Sequence, residues 1–224
     1  MMVLALSTSA PRGSAAVLEG ERVLGVARYE GEEGHAEKLF QAIDEALLAA
    51  GVGRASLDAL ACDVGPGSFT GVRVAVAAAK GIALARSIPV AGVVSLEAMA
   101  AALRAEPSAR EAAVLAVIDA RKGELFVGAY GPRGEPILAP AHVRREGLPE
   151  VIASLGGSPL ALAAPALAGA ELPGAILMEG PDAVSIGRVA HARSSFLDPE
   201  LLVPLYVREP DISVPRSMVL PQPR

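Results

Sequence analysis

Gly65-Pro66-Gly67-Ser68-Phe69-Thr70-Gly71 lies between an apolar run, Leu57 to Val64, and an alanine-rich run, Thr70 to Arg86. The architecture follows from this stretch. The first run predicts a buried strand and the second a helix, with the glycine-rich segment as the turn between them. A strand, a tight turn and a helix in succession are the building unit of α/β proteins. The helix is apolar nearly all round, since only Arg73 and Lys80 are charged before Arg86. A helix without a large wet face is covered on two sides. One cover is a sheet; the other is a second helix or another protein.

Working outward, Val3-Leu4-Ala5-Leu6 predicts a short buried strand ending in the polar Ser7-Thr8-Ser9. Ser14–Leu18 and Arg22–Tyr29 predict two more strands, joined by a turn at Glu19-Gly20-Glu21. The acidic Gly31-Glu32-Glu33-Gly34 leads into a helix over Glu33–Ala50, with Leu39, Phe40, Ile43, Leu47 and Leu48 as its apolar stripe and Gly51 as its stop. Pro89–Val93 predicts a strand, and Ser95 is placed to cap a helix through Ala105. A second half then begins as the first did, with strands at Ala113–Asp119, Leu125–Tyr130 and Pro136–Val143. The pattern predicts two similar α/β halves, each with a mostly parallel sheet. Residues 1–105 form the first and 106–208 the second, and a Pro-rich tail, 209–224, is predicted to be extended or frayed.

The chain has 224 residues, 52% hydrophobic and 20% charged, enough to bury a real core. Twenty basic against 25 acidic residues leave a net charge of −5, and the nearest thing to a basic patch is Arg144-Arg145. Tight, direct RNA binding is therefore disfavoured. The single Cys62 excludes an intrachain disulfide and a Cys-rich zinc site. The uncharged stretch Val151–Ala170 is broken by Gly156, Gly157, Pro159 and Pro165, so it predicts a soluble core segment rather than a membrane span. With no leader pattern at the start, the expected location is cytoplasmic.

Few residues offer chemistry. Gly65, Gly67 and Gly71 permit close backbone approach, and the helix that follows favours an anion at its start. Neither the Walker spacing nor the dinucleotide fingerprint is present. Two readings stay open: a nucleotide or phosphate loop built from Ser7, Thr8, Gly65, Gly67, Ser68, Thr70 and Gly71, or a tight turn with Ser68 or Thr70 capping the helix. His35, His142 and His191 are too scattered for a zinc set, so no metal and no other cofactor is expected. Asp63 and Asp119 both end predicted strands, where α/β proteins place ligand groups. An ion pair of Asp119 with Arg121 is the structural alternative.

Gly65 through Arg73, followed by Lys80-Gly81-Ile82-Ala83, resembles the signature of the TsaB (YeaZ) family. Leu4-Ala5-Leu6-Ser7-Thr8-Ser9 resembles that family's opening L-A-I-D-T-S, and Gly92 to Leu96 its G-V-S-x-L. Asp119-Ala120-Arg121 with Glu124 resembles its D-A-R-x-x-E, and Pro204 to Arg208 its closing P-x-Y-L-R. The resemblance implies the fold of the actin-like and sugar-kinase ATPase superfamily: two related halves, each a mixed β-sheet flanked by helices. It also implies a part in making threonylcarbamoyladenosine in tRNA. That part is non-catalytic partnership with TsaD, the transferase, which the ATPase TsaE joins.

Two departures bear on activity. Ser7 stands where superfamily ATPases carry a phosphate-loop aspartate, and a hydroxyl does not hold hydrated Mg²⁺ by charge. His35 is followed at the fourth position by Leu39, not by the second histidine of the metal pair that the active relative carries. The expectation is a pseudo-enzyme without catalytic residues. It would bind TsaD through the helices Glu33–Ala50 and Thr70–Arg86, with contacts at Leu39, Ile43, Val72, Val76, Ala79 and Ala83. Alone it would form a homodimer through the same surface, and it would meet tRNA only through the complex. The competing reading is a small-molecule kinase or ATPase of the same fold, and a third is a peptidase.

Overall fold

The computed structural model describes residues 1–31, 34–156, 161–163 and 176–207. Strands β1 (Met2–Ser7), β2 (Arg12–Glu19), β3 (Arg22–Glu30), β4 (Ala59–Gly65) and β5 (Val90–Val94) form the first sheet, in the order β3-β2-β1-β4-β5. β1 pairs antiparallel with β2 and parallel with β4. Every residue of β4 is buried, from its apolar run Ala59–Cys62 through Asp63 to Gly65.

Helices α1 (His35–Ala50) and α2 (Phe69–Arg86) cover one face of this sheet. Leu4, Leu6, Leu60 and Cys62 meet Leu39, Ile43, Val72, Val76 and Ala79 there. Each large aliphatic side chain taken from water contributes about 1.5–3 kcal/mol. The stripe read on α1 divides: Leu39, Ile43 and Leu47 turn inward, while Phe40 and Leu48 are exposed. α1 ends at Gly51 in the left-handed conformation, with φ 68°.

The second sheet contains β6 (Val114–Arg121), β7 (Glu124–Tyr130), β8 (Pro136–Arg144) and β9 (Ala161–Ala163), in the order β8-β7-β6-β9. β6 pairs antiparallel with β7 and parallel with β9, and β7 pairs antiparallel with β8. The core of the first sheet is repeated strand for strand, so the predicted duplication of topology holds. The expectation of mostly parallel sheets does not, because tight hairpins join three consecutive strands in each half and force antiparallel neighbours. Both sheets are mixed.

α3 (Ser95–Leu103) lays Leu96, Met99 and Leu103 against Val114, Ala116 and Phe126 of the second sheet. α4 (Leu148–Ser154) covers the opposite face through Leu148. The chain then returns. α5 (Ala183–Arg193) packs Ala183, Ile186, Val189 and Ala190 on the free face of the first sheet, against Val3, Ala5, Ala16, Leu18, Ala59 and Ala61. Residues 106–208 are therefore no self-contained unit, and the boundary at 105 needs correction. The first sheet has two apolar faces, and the second is covered mainly by α5, with Ala98 of α3 beside it. The predicted tail 209–224, the residues Glu32 and Glu33, and Arg208 lie outside the described residues.

Candidate functional site

The glycine-rich turn and the end of β1 form one assembly. Asp63, at the end of β4, is fully buried. Its Oδ2 accepts the Ser7 hydroxyl at 2.9 Å and the Ser9 backbone N–H at 3.1 Å. Its Oδ1 accepts the Thr8 N–H at 3.4 Å. Burial pushes the Asp63 carboxyl above its usual range, while these hydrogen bonds pull it back. The Ser7 hydroxyl also lies 3.1 Å from the Pro181 carbonyl. With one proton to donate, it serves Asp63 when that group is ionised. It serves Pro181 when Asp63 carries the proton and donates in turn.

The loop that follows β1 sits directly on the glycine turn. Ser68 N–H donates to the Ser9 carbonyl at 2.8 Å, and Thr8 Oγ1 donates to the Gly71 carbonyl. A Cβ on Gly67 would collide with the Ser9 backbone, and one on Gly71 with the Thr8 carbonyl. Glycine is required at both positions because another stretch of the same chain lies against them. Ser68 caps α2, its Oγ accepting Gly71 N–H at 3.3 Å. Of the two readings left open, the capped turn describes Ser68, whereas Thr70 is exposed. Of these residues Thr8, Gly67, Ser68 and Gly71 come together with Ser9, while Ser7 bonds to Asp63 and Gly65 lies against Leu205 and Val72. The N–H groups of Thr8 and Ser9 are used on Asp63. Ser95, expected to cap α3, is instead its first helical residue and sets its Oγ 3.2 Å from that of Ser9.

The remaining signature residues hold the returning chain. Leu197 bridges to Val90 at the free edge of β5. Lys80 Nζ donates to the Glu200 carbonyl at 2.8 Å, and Leu205 N–H donates to the Val64 carbonyl at 2.7 Å. Arg73 Nε donates to Tyr206 Oη at 3.1 Å, with its guanidinium carbon 3.7 Å from the centre of the Phe69 ring. The sequence reading missed this clasp. Its signal is that Pro204-Leu205-Tyr206 belongs to the same signature as Phe69, Arg73 and Lys80.

The six expected contact positions need correction. Leu39, Ile43, Val72, Val76, Ala79 and Ala83 are at most 6% exposed and lie in the core of the first sheet. A sheet face must be covered before anything else is, and the larger side chains at helical spacing go there. The outward surface of the two helices consists of Phe40, Leu48, Phe69, Ala77, Leu84 and Ala85, interspersed with charges such as Glu37, Asp44 and Arg73.

In the second half, Asp119 is exposed and its Oδ1 accepts the Arg121 N–H at 2.9 Å, a local turn contact. His142 Nε2 lies 2.9 Å from Glu124 Oε2. The side chain of His35 is outside the described residues. Between the halves, buried Glu97 of α3 pairs with Arg193 of α5; burial raises the carboxyl, and Arg193 and Arg104 oppose the shift. Among the described residues no three His, Cys, Asp or Glu side chains are grouped to hold a metal ion. No described helix is long and apolar enough to cross a membrane.

A family model described as "TsaD: tRNA N6-adenosine threonylcarbamoyltransferase" matches residues 21–146. The tRNA threonylcarbamoyladenosine biosynthesis protein TsaB of Haemophilus influenzae is 38% identical over 135 residues, covering 56% of this chain and 52% of that protein. The chain thus spans about half the length of this curated relative. The solved structure of YeaZ from Pseudomonas aeruginosa is 30% identical with a TM-score of 0.76, covering 92% of this chain and 99% of that one. An activator of 2-hydroxyisocaproyl-CoA dehydratase from Clostridium difficile, solved with bound ADPNP, superposes with a TM-score of 0.52 at 7% identity. That last likeness concerns the fold alone.

Proposed function

The chain belongs to the TsaB (YeaZ) family, and on that footing we propose that it serves tRNA threonylcarbamoyladenosine formation as a non-catalytic partner of a TsaD-type transferase. The supporting observation is the closed loop at the end of β1. In an ATPase of this fold that loop would need free donors and a carboxylate open to Mg²⁺. Here Thr8 and Ser9 direct their N–H groups at Asp63, which is fully buried. The competing kinase or ATPase reading finds these donors already used on Asp63, and for the peptidase reading no nucleophile–base pair is seen among the described residues.

In this proposal a TsaE-type ATPase joins the pair, the complex works in the cytoplasm, and the RNA is left to the partner. A net charge of −5 suits that division of labour. The docking surface is the outward face of α1 and α2, where Phe40, Leu48, Phe69 and Leu84 are exposed. The same face pairs two copies when the chain is alone.

Reconstitution tests the proposal. Transferase and ATPase subunits are assayed for tRNA modification with and without this chain, which is also titrated with Mg-ATP by calorimetry. Modification should require the chain, and the chain alone should give no micromolar ATP binding. Equal modification in its absence, or ATP turnover by the isolated chain, overturns the proposal. Leu48→Glu with Leu84→Glu should abolish self-association in sedimentation while leaving the melting temperature within a few degrees, because both side chains are exposed. The buried Val76 is the wrong place for that test, since a charge there would unfold the core.

A further inference from the structure

β1 and β4 run parallel with Leu6 paired to Cys62, so Ser7 and Asp63 follow side by side on adjacent strands. Val3 and Ala5 of β1 and Ala59 and Ala61 of β4 line the face covered by α5. Strand alternation puts Ser7 and Asp63 on that same face, and the 2.9 Å contact between their side chains agrees. Adjacent strands are only about 4.8 Å apart, so a carboxyl group borne by either residue reaches the same small volume. That volume is where the N–H groups of Thr8 and Ser9 converge. The same two residues seat the start of α2, through the Thr8 hydroxyl on the Gly71 carbonyl and the Ser9 carbonyl on Ser68 N–H. A small hydroxyl at one position leaves room for the carboxyl of the other. Two carboxyls would crowd and repel, and two hydroxyls would leave the buried N–H pair without its acceptors.

We propose that a single carboxyl group, interchangeable between positions 7 and 63 and supplied here by Asp63, is the built-in ligand that locks the loop after β1 onto the start of α2. Ser7, on the neighbouring strand, is the second position from which a carboxyl reaches the same donors. Asp63 is a positioning residue: it acts on α2 through Thr8 and Ser9, and the geometry stands whether or not the chain partners a transferase.

The test is a double-substitution cycle on the full chain, read by thermal melting. Asp63→Ser should lower the melting temperature by about 10 °C, the loss expected for unsatisfied buried donors in a chain of this size. Ser7→Asp alone should also lower it, because it sets two carboxyls at hydrogen-bond distance. Ser7→Asp combined with Asp63→Ser should melt within about 3 °C of the unsubstituted chain. A loss in the double variant equal to the sum of the single losses overturns the proposal, as does an Asp63→Ser variant that melts unchanged. If Asp63→Ser yields no folded protein, recovery of folded chain by adding Ser7→Asp supports the exchange equally well. Failure of the double variant to fold overturns it.

Discussion

The two halves share a topology, yet they use the same corner in opposite ways. In the first half, Ser7 at the end of β1 and residues 8–10 after it are buried, and Ser7, Thr8 and Ser9 bond to Asp63, Gly71 and Ser68. In the second half, Arg121 at the end of β6 and residues 122–123 after it are exposed. They take positive φ at Arg121, Lys122 and Gly123, and Asp119 bonds only two residues ahead. One corner is buried; the other is exposed. Architecture alone therefore does not make a site. What matters is whether the donors at a strand end meet a distant buried carboxyl, as at Thr8 and Ser9, or a neighbouring exposed one, as at Arg121.

The comparison breaks most sharply at glycine. Gly71→Ala should cost more than about 4 kcal/mol, because the new methyl collides with the Thr8 carbonyl and the helix start cannot move away. Gly123→Ala meets nothing within 4 Å, and its only burden is φ 76°, about 1–2 kcal/mol. Denaturant unfolding of the two variants measures the gap; equal losses would erase the contrast between the corners. A smaller difference separates their hydrogen bonds. Thr8→Val removes a buried bond and should cost about 1–2 kcal/mol, while Asp119→Ala, at an exposed turn, should cost under about 1 kcal/mol.

The smallest effect lies in pH. The Asp63 carboxyl is raised by burial. Its contribution to stability is therefore fully present below the unfolded-state value and declines as pH rises through the higher folded-state value. The stability of the native chain relative to Asp63→Asn should accordingly fall on going from acid to neutral pH. An advantage that grows with pH would mean that the hydrogen bonds from Ser7, Thr8 and Ser9 outweigh desolvation.

Much of this was legible along the chain. Runs such as Leu57–Val64 and the spacing of Leu39, Ile43 and Leu47 mark elements because burial imposes a period that neighbouring residues must obey. The duplication showed in the order of those elements. The turn at Gly65–Gly71 was recognisable too, but its occupant was not, since Ser9 is distant from Gly67 in sequence and nothing local connects them. The direction of α2 was equally hidden. A helix apolar all round does not say which residues face its own sheet, and the large side chains chosen as outward contacts all turned inward.

By itself the sequence determined the α/β class, the repeated strand order, the family and the glycines at 67 and 71, because each is written in local spacing or residue type. Only the tertiary structure decided that α5 and the strand-like segment after it return to the first sheet. It alone also showed that Asp63 is the ligand of the loop after β1, and that Phe69, Arg73 and Lys80 clasp residues 200–206. These are pairings between segments far apart along the chain, and they arise when a second apolar face, a free strand edge and buried N–H groups must all be satisfied at once.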